Sequence, residues 1–355
     1  MPSLGGCYPH FVWSAGFQPA ASRQGGGATF KLGPHAWRRL CYIPGLGHQP
    51  FRIVSRGGLT WVEALPFTKL PWLIHAFSTR RGGRSRSPCA GLNLGFTEWD
   101  RREFVEGNRQ RLFRQIDADG FAYASVRQVH SSHTFAVAWN EAGQLIYRPP
   151  GAPHAGQATT DPPAGDGLMT AAAGIVLAVR IADCLPVLLV DPDKRVVATV
   201  HAGWRGALAR VIEKAVGDLH RVFGSRPGQL MAALGPSIRA CCYAVGEEVV
   251  EAFQGQFGRA DQFFRTPPVR PESAPDRRSI PFISAHPPEQ APAAHLDLVA
   301  VALDQLSSAG VKPSNALVAD YCTACRTDLF FSHRKEGERT GRQMAVIAIR
   351  PGKRG

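Results

Sequence analysis

The pattern of apolar positions between residues 174 and 200 predicts three consecutive buried β-strands. Residues 174–181 are apolar apart from one arginine, and residues 185–190 and 195–200 form two further runs, joined by an Asp-Pro-Asp turn. Uninterrupted apolar runs of this length are typical of strands that are covered on both faces. We therefore expect the centre of a sheet in this part of the chain.

After residue 206 the apolar spacing changes to that of an amphipathic helix. The positions that share one helical face are Leu208, Val211, Ile212, Ala215, Leu219 and Val222. Gly224 is placed to end this helix. Further helices are predicted over 247–257 and 295–309, and further strands over 230–234, 316–319 and 344–349. Buried strands alternating with amphipathic helices predict an α/β fold, here a single-domain mixed-sheet α-β-α sandwich.

Composition divides the chain into two parts. Residues 1–60 hold 11 of the 37 glycines, carry no acidic residue and keep no apolar period. This composition is typical of a disordered extension or of a spuriously early start, so the folded domain is expected to span residues 61–350. Within that domain, residues 262–294 contain eight prolines and predict an irregular surface loop.

The net charge of +13 first suggests a nucleic-acid partner. Residues 1–60 contribute +6 and residues 334–355 contribute +5, which leaves only +2 for residues 61–333. The body of the protein is thus better matched to a small-molecule substrate than to nucleic acid. The sequence contains no run of about 18 apolar residues, so no membrane-spanning helix is predicted. The eight cysteines form no dense framework and no secretory signal precedes them, so a cytoplasmic protein with reduced thiols is expected.

Three short segments carry the candidate chemistry: QVHS at 128–131, ADCLP at 182–186 and HAGWRG at 201–206. They supply His130, Cys184 and His201, with 53 and 16 residues between them. Two imidazoles and a thiolate can bind zinc tetrahedrally and leave the fourth position open, as a catalytic zinc requires. Spacing alone does not decide the matter, because a buried Cys184 can equally be a small core residue.

These segments, with others in the same order, resemble the laccase-domain (multicopper polyphenol oxidase-like) family. The matching stretches are FSTRRGGRS (77–85), LNLG (92–95), QVHS (128–131), DGLMT (166–170), ADCLPVLLVDP (182–192), HAGWRG (201–206), LGPSIRACCYAVGEEV (234–249), DYCTACRTDLFFSHR (320–334) and TGRQMAVI (340–347). The resemblance implies the fold of that family. It also implies a zinc-dependent purine nucleoside phosphorylase for adenosine, inosine and 5′-methylthioadenosine, with adenosine deaminase activity.

Carried over position by position, the resemblance implies that His130, Cys184 and His201 hold zinc, with copper as the second choice. Cys184, His201 and Asp183 are then the candidate catalytic residues. Residues expected to bind the nucleoside or phosphate are Arg80, Arg205, Asp166 and Arg334. The implied partners are small molecules, and either a monomer or a dimer is compatible with the sequence.

Alternative functions stay open at this point. A peptidoglycan-precursor amidase would use the same metal ligands, and a metal-free cysteine hydrolase would use Cys184 as nucleophile and His201 as base. A copper laccase needs clusters of HxH type, which the sequence lacks. Cys322 and Cys325 form a single CxxC without a second pair, and they are interpreted, like Cys241 and Cys242, as packing residues.

Overall fold

Two large β-sheets face each other at the centre of the computed structural model, which describes residues 50–151, 159–266 and 294–352. The strands of these residues are β1 Phe51–Arg56, β2 Leu59–Ala64, β3 Leu73–Ser78, β4 Ala122–Ser125, β5 Thr134–Trp139, β6 Leu145–Arg148, β7 Gly167–Thr170, β8 Ile175–Ile181, β9 Leu185–Asp191, β10 Val196–Ala202, β11 Met231–Leu234, β12 Ala244–Val245, β13 Phe264–Arg265, β14 Ala294–Leu296, β15 Ala316–Val318 and β16 Gln343–Ile349.

The helices of the same residues are α1 Arg102–Gln115, α2 Trp204–Leu208, α3 Val211–Phe223, α4 Glu247–Gln256, α5 Leu298–Ser308 and α6 His333–Glu336. Single 3₁₀ turns occupy Phe67–Lys69, Pro227–Gln229, Ala260–Phe263 and Pro313–Asn315. The helix predicted after residue 206 is in fact two helices. They are separated at Arg210, whose backbone is left-handed with φ 57°, and the second ends at Gly224 as expected.

Both large sheets are mixed. The first has the strand order β1-β2-β3-β16-β8-β4, in which only β4 and β8 pair in parallel. The second has the order β15-β11-β9-β10-β7-β5-β6, with parallel pairs β11–β15 and β5–β7. A small antiparallel sheet, β12-β14-β13, lies beside them.

Apolar side chains fill three layers. Between the sheets, Phe77 and Ile347 of the first pack with Leu188 and Val197 of the second. Helix α1 covers the outer face of the first sheet, and helices α3 and α5 cover the outer face of the second. Because β8, β9, β10 and β16 are enclosed on both faces, their sequences are nearly continuous apolar runs. The predicted mixed α/β fold with outer helices is confirmed, and its central layer is a pair of sheets.

The folded domain begins before the predicted boundary at residue 60, because a β-hairpin crosses that boundary. Strands β1 and β2 pair in antiparallel register, and Phe51 and Leu59 are buried. Gly57 and Gly58 join them with φ 57° and 75°, the left-handed conformation that a two-residue hairpin turn requires. These glycines, taken in the sequence as a sign of disorder, are therefore turn residues. Residues 1–49 lie outside the described residues.

The predicted proline-rich loop, residues 262–294, is corrected at both ends. Residues 260–263 form a 3₁₀ turn, and β13 pairs with β14 through Phe264 opposite Leu296. Phe263 is almost fully buried, so the chain is still part of the core there. The prolines themselves fall within residues 267–293, outside the described residues.

Candidate metal centre

The structure brings together the three side chains that the sequence singled out. In the β9–β10 hairpin, His201 pairs with Pro186, which places it beside Cys184 at the start of β9. His130 reaches the same point from the loop between β4 and β5. The ligand atoms of all three lie within 4.8 Å of one another, and Cys184 Sγ is 3.8 Å from His130 Nε2. This cluster could hold a metal ion.

Asp166 fixes the orientation of His201. Its Oδ1 lies 2.8 Å from His201 Nδ1, in a pair that is almost completely buried. The imidazole donates from Nδ1 to the carboxylate, which leaves Nε2 as the atom available to a metal. A carboxylate behind a ligating histidine is a common arrangement that fixes the tautomer and makes the ligand nitrogen more basic.

The same carboxylate shapes the loop that carries His130. Asp166 accepts the backbone N–H groups of His130 at 3.0 Å and Ser131 at 2.5 Å, and the Ser131 hydroxyl at 2.8 Å. His130 has a left-handed backbone, φ 58°, which is uncommon for residues other than glycine. Consecutive N–H groups turned toward one anion offset the cost of that conformation. Asp166 thus holds two of the three candidate ligands.

The charges of the site shift three pKa values. Burial alone would raise the pKa of Asp166, but His201 and Ser131 outweigh it and lower that pKa. Burial would lower the pKa of His201, but Cys184 and Asp166 raise it to about 9. Burial would raise the pKa of Cys184, but His201 and His130 lower it to about 6. The cluster is therefore ready to supply a thiolate at neutral pH.

Gly203 provides the space in which the ligands meet. A Cβ at this position would lie 2.7 Å from His130 Cδ2 and 3.0 Å from Cys184 Sγ. Both distances are shorter than ordinary contacts between such atoms. The glycine of the HAGWRG segment is thus required by the close approach of two ligands from different loops.

Asp183 lies next to Cys184 and anchors its backbone. Its φ is 91°, and its two carboxylate oxygens accept the Thr323 hydroxyl at 2.6 Å and the Arg334 backbone N–H at 2.6 Å. Its own carbonyl accepts the Ile238 N–H at 2.8 Å. Because both oxygens already have protein partners, this geometry favours a role in positioning Cys184.

The three candidate arginines have different surroundings. Arg80 forms a 2.6 Å ion pair with Glu336 and stacks on a phenylalanine, as a structural residue does. The Arg334 guanidinium donates to Ala244 O at 2.7 Å. Arg205 is exposed, lies 4.3 Å from the Trp204 ring centroid, and has no ion-pair partner within the described residues. Of these three arginines, Arg205 is therefore the most available to a ligand.

Sequence reasoning missed several residues that the structure places here. Ser131 and Thr323 hold Asp166 and Asp183, and both lie inside segments that had been noticed for other residues. Tyr243 is close enough to Cys184 and Asp183 for their charges to act on it. Its pKa is raised by burial and by those charges, partly offset by Arg334, so the phenol stays protonated. No spacing signal in the sequence indicates Tyr243.

Four other cysteines also converge, contrary to their interpretation as isolated packing residues. The Sγ atoms of Cys241, Cys242, Cys322 and Cys325 all lie within 4.8 Å of one another.

Among the residues that the structure describes, no helix combines the length and apolar character needed to cross a membrane.

The fold and the His₂Cys cluster define a mixed α/β protein with a candidate metal centre at the open end of its central hairpin. The model of the family described as multi-copper polyphenol oxidoreductase laccase matches residues 74–350. The chain belongs to this family, as its sequence motifs suggested.

Two relatives are about one-third identical to this chain in sequence. The purine nucleoside phosphorylase YlmD of Geobacillus stearothermophilus is 32% identical over 277 residues, which cover 78% of this chain and 90% of that protein. The adenosine deaminase RL5, from an unknown prokaryotic organism, is 33% identical over 288 residues, covering 81% and 98%. Both names are those of enzymes.

Solved structures agree with the fold. The crystal structure of YlmD from Geobacillus stearothermophilus matches with a TM-score of 0.66 and 32% identity, covering 86% of this chain and all of that one. The structure of the Bacillus licheniformis hypothetical protein YfiH matches with a TM-score of 0.68 and 27% identity, covering 85% of this chain.

Proposed function

We propose that this protein is a zinc-dependent purine nucleoside phosphorylase of the cytoplasm, acting on adenosine, inosine and 5′-methylthioadenosine, with adenosine deaminase activity. The observation that carries the proposal is the convergence of His130, Cys184 and His201 with Asp166 behind His201. The names of the relatives supply the substrate class.

The donor set of the cluster fits zinc. Two imidazole nitrogens and a thiolate are ordinary zinc ligands, and three protein ligands leave one position for substrate or solvent. The lowered pKa of Cys184 supplies the thiolate at neutral pH. His130 is exposed, so the open side of the cluster faces solvent. Zinc bound there supplies a Lewis acid beside the substrate.

The chain's own residues divide the remaining work. Arg205, exposed beside His201, binds phosphate, since a guanidinium offers paired donors to its oxygens. Tyr243 keeps its proton and can donate a hydrogen bond to the substrate. Asp166 and Asp183 hold the ligands and the Cys184 backbone. The earlier expectation that Asp166 touches the nucleoside gives way here to a positioning role, because its side chain is fully buried.

The deciding experiment measures release of free base from adenosine, with and without phosphate, and the zinc content of the same samples. We expect phosphate-dependent release by the wild type and loss of both zinc and turnover in Cys184→Ala. Cys89→Ala is the matched control, because Cys89 is buried, contacts Thr97 and belongs to neither candidate metal cluster. Unchanged turnover in Cys184→Ala would remove this cysteine from the mechanism. Turnover only of a UDP-sugar-peptide would favour the peptidoglycan-precursor amidase instead.

A metal-free cysteine hydrolase is the second candidate, because Cys184 and His201 together resemble a thiolate–imidazolium pair. The pKa of Cys184 is lowered to about 6 and that of His201 is raised to about 9, as an activated thiol and its base require. Chelation separates the two candidates. Activity that survives complete removal of metal supports the hydrolase, and activity that returns only with added zinc supports the phosphorylase.

A further inference from the structure

Four thiols meet at one point on the surface, well away in sequence from the His₂Cys cluster. Cys241 and Cys242 lie in the turn before β12, and Cys322 and Cys325 lie in the turn after β15. Cys242 Sγ is 3.3 Å and Cys241 Sγ is 3.6 Å from Cys325 Sγ. Neither distance is that of a disulfide, which needs about 2.05 Å.

Packing does not explain this cluster. Cys241 and Cys325 are exposed, and Cys242 and Cys322 are only half-buried. A cysteine that serves as a small apolar residue is typically among the most buried of side chains. The separations instead match a single metal ion. With Zn–S bonds of about 2.3 Å, the sulfurs of a tetrahedral site lie about 3.8 Å apart.

The surroundings supply donors to the cluster. The backbone N–H groups of Arg239 and Cys325 are hydrogen-bond donors to the Cys322 sulfur. The half-buried Arg239 guanidinium lies alongside, where it donates to the carbonyls of Ala319 and Tyr321. Backbone N–H groups and a fixed positive charge are the partners that a negatively charged tetrathiolate centre needs.

We propose that Cys241, Cys242, Cys322 and Cys325 bind one zinc ion in a closed structural site, separate from the cluster of His130, Cys184 and His201. Four thiolates fill the tetrahedron and leave no position for substrate. The site fastens the turn after β11 to the turn after β15, two segments 79 residues apart.

Hydrogen bonds connect the two cysteine-bearing turns to the His₂Cys cluster. Thr323, between the two cysteines of the CxxC turn, donates its N–H to Ser237 O at 3.1 Å and its hydroxyl to Asp183. Ile238, three residues before Cys241, donates to the Asp183 carbonyl. A zinc ion at the four cysteines thus steadies both segments that hold Asp183 beside Cys184.

The test counts zinc per chain in protein reconstituted with zinc under reducing conditions. We expect two ions in the wild type, one in Cys184→Ala, one in the double variant Cys322→Ser/Cys325→Ser, and none in the three combined. Cys89→Ser, the matched control, keeps two. Cobalt placed in Cys184→Ala should give the intense thiolate-to-metal absorption of a tetrathiolate site, and this signal should vanish when Cys322 and Cys325 are also changed.

A second measurement uses the wild type and does not depend on how a variant folds. Peptide-resolved alkylation should show the four cysteines protected in zinc-loaded protein and reactive after chelation. No zinc bound by Cys184→Ala, or four thiols equally reactive with and without zinc, overturns the proposal. A disulfide among the four in freshly reduced, zinc-loaded protein, or iron retained there in preference to zinc, also overturns it.

Discussion

Replacing Gly203 by alanine is expected to disrupt the His₂Cys cluster although none of its three residues is replaced. The added Cβ would lie 2.7 Å from His130 Cδ2 and 3.0 Å from Cys184 Sγ. Carbon contacts are optimal at about 3.5–4.0 Å, so the His130 ring must retreat by roughly 0.8 Å. Ligand distances at a zinc site are defined to within about 0.2 Å. The displacement is several times larger than this tolerance.

Changes behind the ligands of metal sites typically cost about 10- to 100-fold in affinity or activity. A clash with two ligands should reach at least the upper end, so we expect a loss of about 100-fold in zinc affinity for Gly203→Ala. Competition with a fluorescent chelator measures it.

Gly217→Ala is the matched control for this change. Nothing lies within 4 Å of a Cβ at Gly217, in the middle of α3. Its alanine should leave zinc affinity unchanged and stabilise the helix by about 0.5–1 kcal/mol. Wild-type zinc affinity in Gly203→Ala would refute the close approach of His130 and Cys184.

Three further predictions concern the same site. Asp166→Asn should lower activity by about 10- to 100-fold, since an amide cannot accept from His201 and from the loop N–H groups at once. Asp193→Asn, at an exposed position, should leave activity unchanged. An equal effect of both substitutions would contradict the role of the Asp166 carboxylate. In metal-free protein, alkylation of Cys184 should rise with a midpoint near pH 6, because the lowered pKa leaves the thiolate present above that pH; a rate still climbing through pH ~8.5, the value of an ordinary thiol, would count against it. Arg205→Ala should raise KM for phosphate by roughly 10- to 100-fold without changing the zinc content, as loss of a charged hydrogen bond implies. Arg226→Ala should change neither KM nor zinc content.

The central strands could be predicted because burial on both faces leaves a signal in the sequence itself. The apolar runs at 174–181 and 185–190 match β8 and β9 closely. Strand β1 could not be found in this way, because only Phe51 of its six residues is buried. An edge strand with one buried side chain has no apolar period to detect, and its hairpin glycines resemble those of the preceding segment.

The pairing of two sheets in the central layer also leaves no local signal. A strand covered by a second sheet and a strand covered by a helix are both continuously apolar. Val197, packed toward the other sheet, and Val196, packed toward the helices, are the same residue type in adjacent positions. Only the tertiary contacts distinguish the two faces.

The convergence of His130, Cys184 and His201 could be anticipated because each lies in a segment that matches a family motif. Their supporting residues were harder to assign, since the same chemistry serves several roles. Asp166 was expected to meet substrate, and the sequence shows only that it is a carboxylate in a motif. Its full burial against His201 and Ser131, which favours a positioning role, is a property of the assembled fold.

The four-cysteine cluster illustrates how chain separation hides a site. A CxxC is informative when a second pair follows at short range, whereas Cys242 and Cys322 are separated by 79 residues. Strands β11 and β15 pair in parallel, and this pairing carries the two cysteine-bearing turns to the same edge of the sheet. Asp183 hydrogen-bonds to both turns, so the topology that assembles the four thiols also sets the backbone of Cys184. A zinc ion at the four cysteines would therefore stabilise the His₂Cys cluster through Asp183, although none of those cysteines contacts it.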